Sequence, residues 1–310
     1  MKPLFIMLCG ISGSGKSTWA LKHQAELRAF NKYKYGDNGY DCKIVSSDAI
    51  RGEIYGDESC QLDPQKVFTI MQRRTKNYLS NGYDVIYDAT NLKEKFRIQF
   101  LESIKKIECV KIIDLFIESP STCITRQAWR SRKVAPDVIW RQIMSFQPPH
   151  LSEGWDTIQV AEIHPFIDDE ITDYLEMTRG FNQCNPHHKL TLDGHLVEAG
   201  RYAESQGYSN EVYQAALLHD YGKVYTRTFK DGIAHYYGHE NVSAYFFFLI
   251  YNAYNRFEFC LDTAWLIAHH MDKFKGEKYN EKVRSRLERT GYNYLKSWLT
   301  QLEKCDEAAH

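Results

Sequence analysis

The sequence predicts an α/β domain with a parallel sheet and helices on both faces, followed by a nearly all-α domain. In the first half, short apolar runs alternate with polar helical stretches, a pattern typical of parallel sheets. A glycine-rich loop, GISGSGKST at residues 10–18, separates the first apolar run from the first helical stretch. After about residue 166 the remaining segments have helical character. We therefore expect domains at residues 1–165 and 166–310.

The composition is typical of a soluble globular protein. A length of 310 residues favours two domains, and 43% hydrophobic with 25% charged residues argues against disorder. No run approaches the ~18 apolar residues of a membrane helix, so we expect no membrane contact. Eight cysteines without a C-x-x-C pair favour reduced thiols and a cytoplasmic location. The net charge is −1, made up of +4 for residues 1–165 and −5 for residues 166–310.

The predicted strands and helices follow one another in a simple order. The strand-like runs of the first half are rich in β-branched residues: LFIMLC, KIVSSD, DVIYDATN and KIIDLFI. The breaker residues of QPPHLSEGW are expected to end the first helical array, and TIQVAEI could form one last strand. The helical segments of the second half are LVEAGRYAES, EVYQAALLHDYG, NVSAYFFFLIYNAYNRF and DTAWLIAHH.

The glycine-rich loop predicts a nucleotide site. Gly10, Gly15, Lys16 and Ser17 fit the pattern G-x-x-x-x-G-K-[ST] between a strand and a helix. Backbone N–H groups and the helix N-terminus would face the phosphates, Lys16 would reach the β- and γ-phosphates, and Ser17 would bind Mg²⁺. The alternative is a Gly/Ser-rich loop without a ligand. We expect ATP or another NTP with Mg²⁺, bound by Gly13, Ser14, Gly15, Lys16, Ser17 and Thr18.

Two aspartates follow predicted strands. Asp48 closes KIVSSD and Asp88 closes DVIYD. Ligands of open α/β sheets bind at the carboxyl ends of the strands, so both side chains are expected near the γ-phosphate. One carboxylate would organise Mg²⁺ and the other would take a proton from the acceptor hydroxyl. The alternative is that either aspartate only caps a helix.

A basic segment, ITRQAWRSRKVAP, follows the predicted sheet. Arg126, Arg130, Arg132 and Lys133 fall within eight positions, and the four-residue spacing of Arg126 and Arg130 would place both on one helix face. A basic helix closing over a triphosphate would neutralise charge in the transition state. The alternative is a solvated basic surface.

The second half concentrates residues that bind metals. His219 and Asp220 are adjacent at a predicted helix end, and Gly222 follows as a stop signal. Histidine and carboxylate side chains are ligands for divalent metals of intermediate hardness. Any single histidine is more often an ordinary core or surface residue. Further candidates in this half are His195, His235, His239, His269, His270 and Asp306.

The motifs of the first half resemble the phage-type 5′-OH polynucleotide kinase family. The matching stretches, in order, are GISGSGKSTWA, SSDAIRGEI, DATN and RQAWRSRKVAP. The resemblance implies a P-loop kinase domain in which Asp48 is the general base on the 5′-OH and Arg51 contacts the acceptor's phosphate. It also implies that Arg126 and Arg130 are lid residues on the ATP phosphates.

Two residues depart from that family's pattern. Ala49 and Ile50 stand between Asp48 and Arg51, where a polar residue and an aromatic residue are expected. This departure concerns the identity of the acceptor more than the type of reaction, which is phosphoryl transfer. Related P-loop kinases with the same DATN element phosphorylate small molecules or sugar nucleotides, so such an acceptor remains an alternative.

The motifs of the second half are similar to the HD superfamily of metal-dependent phosphohydrolases. They are NPHHKLTLDGHLVEA, LLHDYGK, GHE, AHH and KCDEAAH, and they span most of residues 181–310. The resemblance implies an all-α HD domain in which Lys223 contacts the scissile phosphate and His187 or His188 lines the pocket. The implied ligands are His195, His219, Asp220 and Asp306 for one metal, with His239 and His270 for a second.

Spacing alone selects two of these ligands. It favours His270 over His269 and Asp306 over Asp262. The expected cofactors are two divalent ions drawn from Mn²⁺, Ni²⁺, Co²⁺, Fe²⁺ and Mg²⁺. The alternative is a degenerate HD fold that binds a nucleotide without hydrolysing it.

Together, the two halves resemble bifunctional kinase–HD enzymes that heal RNA ends. Such an enzyme would add a 5′-phosphate from ATP and remove a 2′,3′-cyclic, 2′- or 3′-phosphate. The implied partners are RNA or DNA ends, ATP and a downstream ligase, in a bacterial or phage-infected cell. An acceptor groove near Asp48 is expected to use basic residues such as Lys93, Lys95 and Arg97.

Two other functions stay open at this point. One is a small-molecule kinase fused to a nucleotide phosphohydrolase. The other is an ATP-switched binding module whose HD domain is inactive. The size of the preferred acceptor distinguishes the small-molecule kinase from a polynucleotide kinase. The number of divalent ions bound per chain distinguishes the binding module from an enzyme with an intact HD site.

Overall fold

The computed structural model describes residues 2–35, 41–130, 133–161, 176–186, 189–252 and 261–310. The chain divides into two compact units. The first comprises Met1–Trp140 with Glu153–Ile163, and the second comprises Arg141–Ser152 with His164–His310. The segment Arg141–Ser152, which the sequence places in the first domain, thus groups with the second unit. The boundary at residues 165 and 166 stays a prediction, because it falls outside the described residues.

The first unit is built on a five-stranded sheet in the order β2-β3-β1-β4-β5. Every pair of neighbouring strands is parallel, as the alternation of apolar and helical segments predicts. The central strand β1 is buried almost throughout, because helices cover both faces of the sheet. The strands are β1 Leu4–Gly10, β2 Cys42–Ser46, β3 Asp84–Asp88, β4 Val110–Phe116 and β5 Thr157–Val160.

In the described part of the chain, six α-helices accompany this sheet. Several begin where the sequence supplies a cap: the Ser46 hydroxyl accepts from the N–H of Ala49, and Ser119 accepts from Thr122 ahead of Pro120. The helices are α1 Lys16–Tyr35, α2 Ser47–Tyr55, α3 Pro64–Ser80, α4 Glu94–Ile104, α5 Pro120–Ala128 and α6 Pro136–Ile143.

Alternate residues of β1 pack into different cores. The Phe5 ring stacks on Phe100 with centroids 4.9 Å apart and lies 6.3 Å from Trp155. Its neighbour Ile6 belongs to a separate hydrophobic cluster that includes Leu8 and Phe116. Successive strand residues point to opposite faces, so β1 fixes helices on both sides of the sheet. This holds the loop after Gly10 at the carboxyl edge of the sheet.

The second unit is mainly helical. Helix α8 packs against α7, α11 and α13, and α11 also packs against α10. The helices are α7 Leu192–Ser205, α8 Asn210–Leu218, α9 Lys223–Thr226, α10 His239–Asn252, α11 Leu261–His269, α12 Glu277–Thr290 and α13 Tyr294–Ala308. The predicted fold class, an α/β unit followed by a helical one, is therefore confirmed.

A short antiparallel hairpin interrupts the helices of the second unit. It pairs β6, Thr228–Lys230, with β7, Ile233–His235. Asp231 and Gly232 connect the strands with φ of 52° and 78°, the positive values that a two-residue type I′ turn requires. The Asp-Gly dipeptide is a recognised hairpin signal, although no hairpin was predicted here.

Two further expectations concern cysteines and membranes. The seven described cysteines are all free thiols: Cys9, Cys42, Cys60, Cys109, Cys123, Cys184 and Cys305. Among the described residues, no helix is both long enough and apolar enough to cross a bilayer.

Candidate active sites

The glycine-rich loop connects β1 to α1 and depends on its glycines. Gly13 and Gly15 have φ of 91° and 95°, values that L side chains rarely adopt. A Cβ on Gly13 would lie 2.7 Å from the Gln127 amide nitrogen and 2.8 Å from the Cys123 carbonyl oxygen of α5. The loop is therefore closed tightly against α5, with its N–H groups at the start of α1.

Lys16 is the first residue of α1 and is buried in the loop. Its Nζ donates to the Ile11 carbonyl at 2.6 Å and lies 3.3 Å from the Ser14 hydroxyl. Burial lowers the pKa of Lys16, while the charge of Asp88 acts in the opposite direction. The ammonium group is thus positioned inside the phosphate loop by the backbone itself.

Ser17 and Asp88 come together beside Lys16. The Ser17 hydroxyl donates to the Asp88 carboxylate at 2.8 Å. Burial raises the pKa of Asp88, and the Ser17 hydrogen bond and Lys16 partly offset that rise. A hydroxyl and a carboxylate are hard oxygen donors, so this pair fits Mg²⁺. Asp88 is the last residue of β3 and caps no helix.

Asp48 lies in the first turn of α2, two residues beyond the end of β2. The cap of α2 is Ser46, so Asp48 does not serve as the cap. Its carboxylate instead accepts a 2.6 Å hydrogen bond from Arg51, whose side chain is 9% exposed against 46% for Asp48. A buried cation thus orients an accessible carboxylate, which suits a proton acceptor.

Arg126 contacts the phosphate loop directly. Its Nη1 donates to the Gly13 carbonyl at 3.2 Å, and its Nη2 pairs with Glu118 at 2.8 Å. The positive charge of Arg130 acts on both Lys16 and Asp88, which places it near the same site.

The expectation that Arg126 and Arg130 share a helix face is wrong. Helix α5 ends at Ala128, and the N–H of Arg130 donates to the Gln127 carbonyl in a tight turn. Lys133 is exposed, and Arg132 lies outside the described residues.

The DATN motif has a structural role. The Asn91 amide donates to the Leu8 carbonyl at 2.7 Å, and its own carbonyl accepts from Arg97 at 3.0 Å. Asn91 has φ of 48°, a conformation that asparagine tolerates. The motif therefore ties the end of β3 to β1 beneath the phosphate loop.

The expectation that Arg97 lines an acceptor groove is wrong. Its side chain is fully buried and pairs bidentately with Glu153 at 2.6 and 2.9 Å. A guanidinium held this way cannot reach a nucleic acid at the surface. Lys93 and Lys95 are exposed, as a groove would require.

The second unit gathers the predicted metal-binding residues. One group contains His195 of α7, His219 at the end of α8, Asp220 and Asp306 of α13. The second group contains Asp220, His239 and His270. Within each group the ligand atoms lie within 4.8 Å of one another. Asp220 belongs to both groups and bridges them.

The distances show how Asp220 bridges. Its Oδ2 lies 3.4 Å from Nε2 of His195 and 3.6 Å from Nε2 of His219. Its Oδ1 lies 3.0 Å from Nε2 of His239 and 3.6 Å from Nε2 of His270. Each carboxylate oxygen therefore serves one group, as in a site for two cations.

Each of the four histidines is held through its other ring nitrogen. The Nδ1 atoms of His195, His219, His239 and His270 contact backbone carbonyls at 3.2, 3.0, 2.7 and 2.7 Å, respectively. A carbonyl only accepts, so Nδ1 carries the proton and donates it. The Nε2 lone pairs then face the cluster, the usual arrangement of metal-binding histidines.

The distances between facing Nε2 atoms show whether these residues suit a metal ion. His195 and His219 bring theirs to 3.3 Å, and His239 and His270 to 3.2 Å. Two lone pairs at that distance need a shared cation or proton. Buried imidazoles with carboxylates suit transition ions such as Mn²⁺, Ni²⁺, Co²⁺ or Fe²⁺, so the residues present fit two divalent metals.

The electrostatics of the cluster favour bound positive charge. Burial alone would lower the pKa of His195, but hydrogen bonds to Asp220 and Asp306 outweigh it and raise that pKa to about 9. Burial alone would raise the pKa of both carboxyl groups. Lys223 and His219 nevertheless hold the pKa of Asp220 well below its usual range, and His195 and His219 do the same for Asp306.

Lys223 is fixed next to the bridging carboxylate. Its Nζ lies 2.5 Å from Asp220 Oδ2, donates to Gln183 at 3.0 Å, and lies 5.5 Å from the centre of the Tyr236 ring. The side chain is almost fully buried. Lys223 is predicted from its motif, whereas Gln183 and Tyr236 are not, because neither belongs to a metal or phosphate motif.

Other histidines and aspartates of this half have different partners. His269 pairs with Asp272 at 2.5 Å, and Asp262 pairs with His150 at 2.8 Å. The structure thus brings His270 and Asp306, rather than His269 and Asp262, into the cluster. His235 stacks on a neighbouring tyrosine instead of joining the cluster, and His187 and His188 lie outside the described residues.

The expectation that Gly222 is a helix stop signal is wrong. Its φ is −61°, an ordinary helical value, and it precedes α9. A Cβ there would lie 2.2 Å from the His239 carbonyl oxygen. Glycine is needed because α10 approaches the backbone closely at this point.

Family comparisons match both units. A family model described as an AAA domain matches residues 5–149, and one described as an HD domain matches residues 192–306. The α/β unit thus matches an AAA domain with a phosphate loop, and the helical unit matches an HD domain.

Individual relatives are distant. The chain is 23% identical over 209 residues to an L-seryl-tRNA(Sec) kinase of Methanococcus maripaludis, covering 65% of this chain and 74% of that protein. Two solved Pnkp1/Rnl/Hen1 complexes, one titled as an RNA repair complex, match at 22% and 20% identity with TM-scores of 0.32 and 0.36. Those matches cover 43% and 47% of this chain, which spans 41% and 44% of the solved chains.

A third solved structure is a gluconokinase from Sinorhizobium meliloti 1021. It is 18% identical with a TM-score of 0.35, and the match covers 53% of this chain and 85% of that one. This chain thus spans less than half of the two repair-complex chains and most of the gluconokinase.

Proposed function

We propose that this chain heals broken nucleic-acid ends. The kinase unit transfers the γ-phosphoryl group of ATP to a 5′-OH. The HD unit removes a 2′,3′-cyclic, 2′- or 3′-phosphate. The observation that carries the proposal is the presence on one chain of a phosphate loop with an oriented Asp48–Arg51 pair and a six-residue cluster bridged by Asp220. RNA that is cut by a metal-independent nuclease carries a 5′-OH and a 2′,3′-cyclic phosphate. A ligase needs a 5′-phosphate and a 3′-OH instead.

In the kinase unit, Asp48 takes the proton of the attacking hydroxyl. Arg51 holds that carboxylate at 2.6 Å and faces the acceptor's adjacent phosphate. Lys16, Arg126 and Arg130 neutralise charge that builds on the transferred phosphoryl group. Lys16 exchanges its hydrogen bond to Ile11 for a phosphate oxygen when ATP binds.

Ser17 and Asp88 would hold the Mg²⁺ that accompanies ATP. Their oxygens are already 2.8 Å apart, and Lys16 lies beside them. An ion held there would neutralise negative charge on the triphosphate.

In the HD unit, His195, His219, Asp220 and Asp306 would hold one divalent ion and His239, His270 and Asp220 a second. Bound there, the ions would polarise the phosphate and lower the pKa of an attacking water. Lys223 stabilises negative charge on the phosphate from beside Asp220. In each step, water adds across one P–O bond and the ribose oxygen leaves with a proton. A 2′- or 3′-phosphate needs one such step, whereas a 2′,3′-cyclic phosphate needs two: the first opens the ring and the second releases inorganic phosphate.

A small-molecule kinase is the second candidate. The loss of Arg97 from the acceptor surface favours it, because a polynucleotide groove then relies on Lys93 and Lys95. The relative named as an L-seryl-tRNA(Sec) kinase supports phosphorylation of a hydroxyl without supporting a 5′ end in particular.

The acceptor test uses labelled ATP and three acceptors: a 5′-OH oligoribonucleotide, a nucleoside and a sugar. We expect the oligonucleotide to be preferred, with binding that weakens as salt rises. Asp48→Asn should lower the turnover number at least ~100-fold, since general bases typically contribute that much. Asp57→Asn, an exposed aspartate of the same unit, is the control. Phosphorylation of only the nucleoside or sugar would favour the second candidate.

The metal test distinguishes an enzyme from a binding module with an inactive HD unit. We expect two divalent ions per chain after reconstitution with Mn²⁺ or Ni²⁺. Asp220→Ala should lose both, because this carboxylate serves both groups. A wild-type chain that binds no divalent ion in the HD unit would support the binding module.

A further inference from the structure

The segment between the hairpin and α10 carries an exposed aromatic surface. Strand β7 ends at His235, and Tyr236 and Tyr237 lead to Gly238 and then to His239, which begins α10. The Tyr237 side chain is 71% exposed, an unusual position for a large ring. The aromatic residues of this segment therefore lead directly in the sequence to His239, one of the six cluster residues.

The rings of His235 and Tyr237 form a parallel stack. Their centroids are 5.6 Å apart and their planes differ by 4°. The two rings are therefore parallel but offset, and most of the Tyr237 ring is exposed to solvent. Nucleobases stack on exposed aromatic rings of this kind.

Tyr236, between them, points into the site. Its hydroxyl donates to the Gln183 carbonyl and its ring lies 5.5 Å below Nζ of Lys223. Its carbonyl accepts from Nδ1 of His239 at 2.7 Å. The same three residues thus carry the stack and support a predicted metal ligand. Two peptide units separate Tyr237 from His239, so their Cα atoms lie within about 7.6 Å.

The hairpin and the residue before it carry two cations, which suit a phosphodiester chain. Lys230 lies on β6, and Arg227 precedes it with its guanidinium 4.4 Å from the Phe181 ring. Phe274 is a second exposed ring of this unit, and Nζ of Lys273 lies 5.4 Å from its centre. Lys273 in turn faces the carboxylates of Asp306 and Glu307, each at 4.0 Å.

From this geometry we infer that Tyr237, backed by His235, is the stacking platform for the terminal nucleobase of a single-stranded RNA whose 3′-end phosphate enters the HD cluster. The inference rests on the proposed phosphoesterase and names its substrate more closely. The base lies on the tyrosine, the ribose spans the distance to His239, and the preceding phosphates face Arg227 and Lys230. The platform prefers purines, whose larger rings stack better.

Kinetics provide the first test. We compare an adenosine 2′,3′-cyclic phosphate end on an oligoribonucleotide with methyl ribofuranoside 2,3-cyclic phosphate, which has no base. Tyr237→Ala should raise KM for the RNA about tenfold, with kcat and the base-free substrate unchanged. Tyr237→Phe keeps the ring and should restore the wild-type KM. Phe274→Ala, which removes another ring that is 71% exposed, is the matched control.

Binding provides a second test that does not depend on turnover. A 5′-phosphorylated oligoribonucleotide with 3′-terminal 2-aminopurine should lose fluorescence when its last base stacks on wild-type protein, and should keep it with Tyr237→Ala. Quenching that persists in Tyr237→Ala, or that disappears in Phe274→Ala instead, overturns the platform. Absence of quenching with wild type also overturns it. Hydrolysis of the base-free cyclic phosphate tests the proposed phosphoesterase activity separately from the stacking platform.

Discussion

At the scale of single residues, the histidines of the HD cluster divide their ring nitrogens between two tasks. Nδ1 of His195, His219, His239 and His270 donates to the backbone, and Nε2 faces Asp220 or Asp306. The carbonyl fixes both the tautomer and the ring orientation. The site is therefore preorganised by main-chain atoms, which side-chain motifs do not reveal.

Asp114 of β4 offers a prediction about pH. Burial raises its pKa to about 7, and one of its oxygens has no hydrogen-bond partner among the described residues. A folded pKa above the unfolded value means that its stabilising contribution is complete below pH ~4 and lost as pH rises through 7. Asp114→Asn should therefore raise the Tm by roughly 5 °C or more at pH 8 and little at pH 4.

Thermal unfolding at several pH values checks this. Asp63→Asn is the control, because Asp63 is an exposed helix cap and asparagine caps equally well. Parallel curves of Tm against pH for wild type and Asp114→Asn would contradict the prediction.

Arg97 offers a prediction about stability. Arg97→Ala leaves Glu153 as a buried carboxylate that keeps the 2.9 Å hydrogen bond from Trp155 but loses its bidentate cation. Breaking such a pair typically costs about 3–5 kcal/mol. Urea unfolding should show a loss of that size, against less than ~0.5 kcal/mol for Lys95→Ala on the same helix. Equal losses for the two variants would show that the ion pair does not stabilise the unit.

The sequence predicted some of these residues and missed others for a physical reason. Local motifs identify Lys16, His219 and Asp220, because the neighbouring residues that act together are also close in the sequence. Arg97 looked like a surface residue because its partner Glu153 lies 56 positions away. Two residues so far apart in the sequence meet only in the folded chain, so their pairing leaves no local sequence pattern.

At the scale of elements, the close contact between α9 and α10 sets the geometry of the HD site. Gly222 donates its N–H to the Ser243 hydroxyl at 2.8 Å. No side chain fits between these elements, because a methyl group added at Gly222 would lie 2.2 Å from the His239 carbonyl oxygen. Close packing of this kind cannot be read from helical propensity, which is why Gly222 was taken for a stop signal.

Gly222→Ala should therefore displace the start of α10 and move His239 away from Asp220. We expect the chain to retain fewer than two divalent ions and to lose phosphoesterase activity, with kinase activity unchanged. Metal analysis after gel filtration measures the first effect. Gly194→Ala is the control, since its added methyl meets a rotatable threonine hydroxyl at 3.3 Å. Full metal content in Gly222→Ala would contradict the prediction.

The strand and helix boundaries show the same limits at the element scale. Apolar runs predicted the start of each strand within one residue, because buried parallel strands are continuous apolar segments. The ends were less accurate. KIVSSD runs two residues past its strand, which ends at Ser46, whose hydroxyl caps α2, and DVIYDATN runs three residues past Asp88. The hairpin at residues 228–235 was missed although Asp231–Gly232 signals it, because its strands are only three residues long.

At the scale of the whole molecule, the chain carries two candidate sites of different chemistry. One uses a backbone loop with Lys16 and an Asp48–Arg51 pair, and the other uses imidazoles and carboxylates around Asp220. Each set of contacts lies within its own unit. The two proposed activities should therefore be separable by single substitutions.

The most direct measurement uses one RNA that carries a 5′-OH and a 2′,3′-cyclic phosphate. The RNA is incubated with ATP, Mg²⁺ and Mn²⁺ or Ni²⁺, and both ends are read by mass spectrometry. Wild type should add phosphate at the 5′ end and remove it at the 3′ end. Lys16→Ala should lose only the first change, and Asp220→Ala only the second. If neither end changes while ATP is consumed on a nucleoside or sugar, the end-healing function is contradicted.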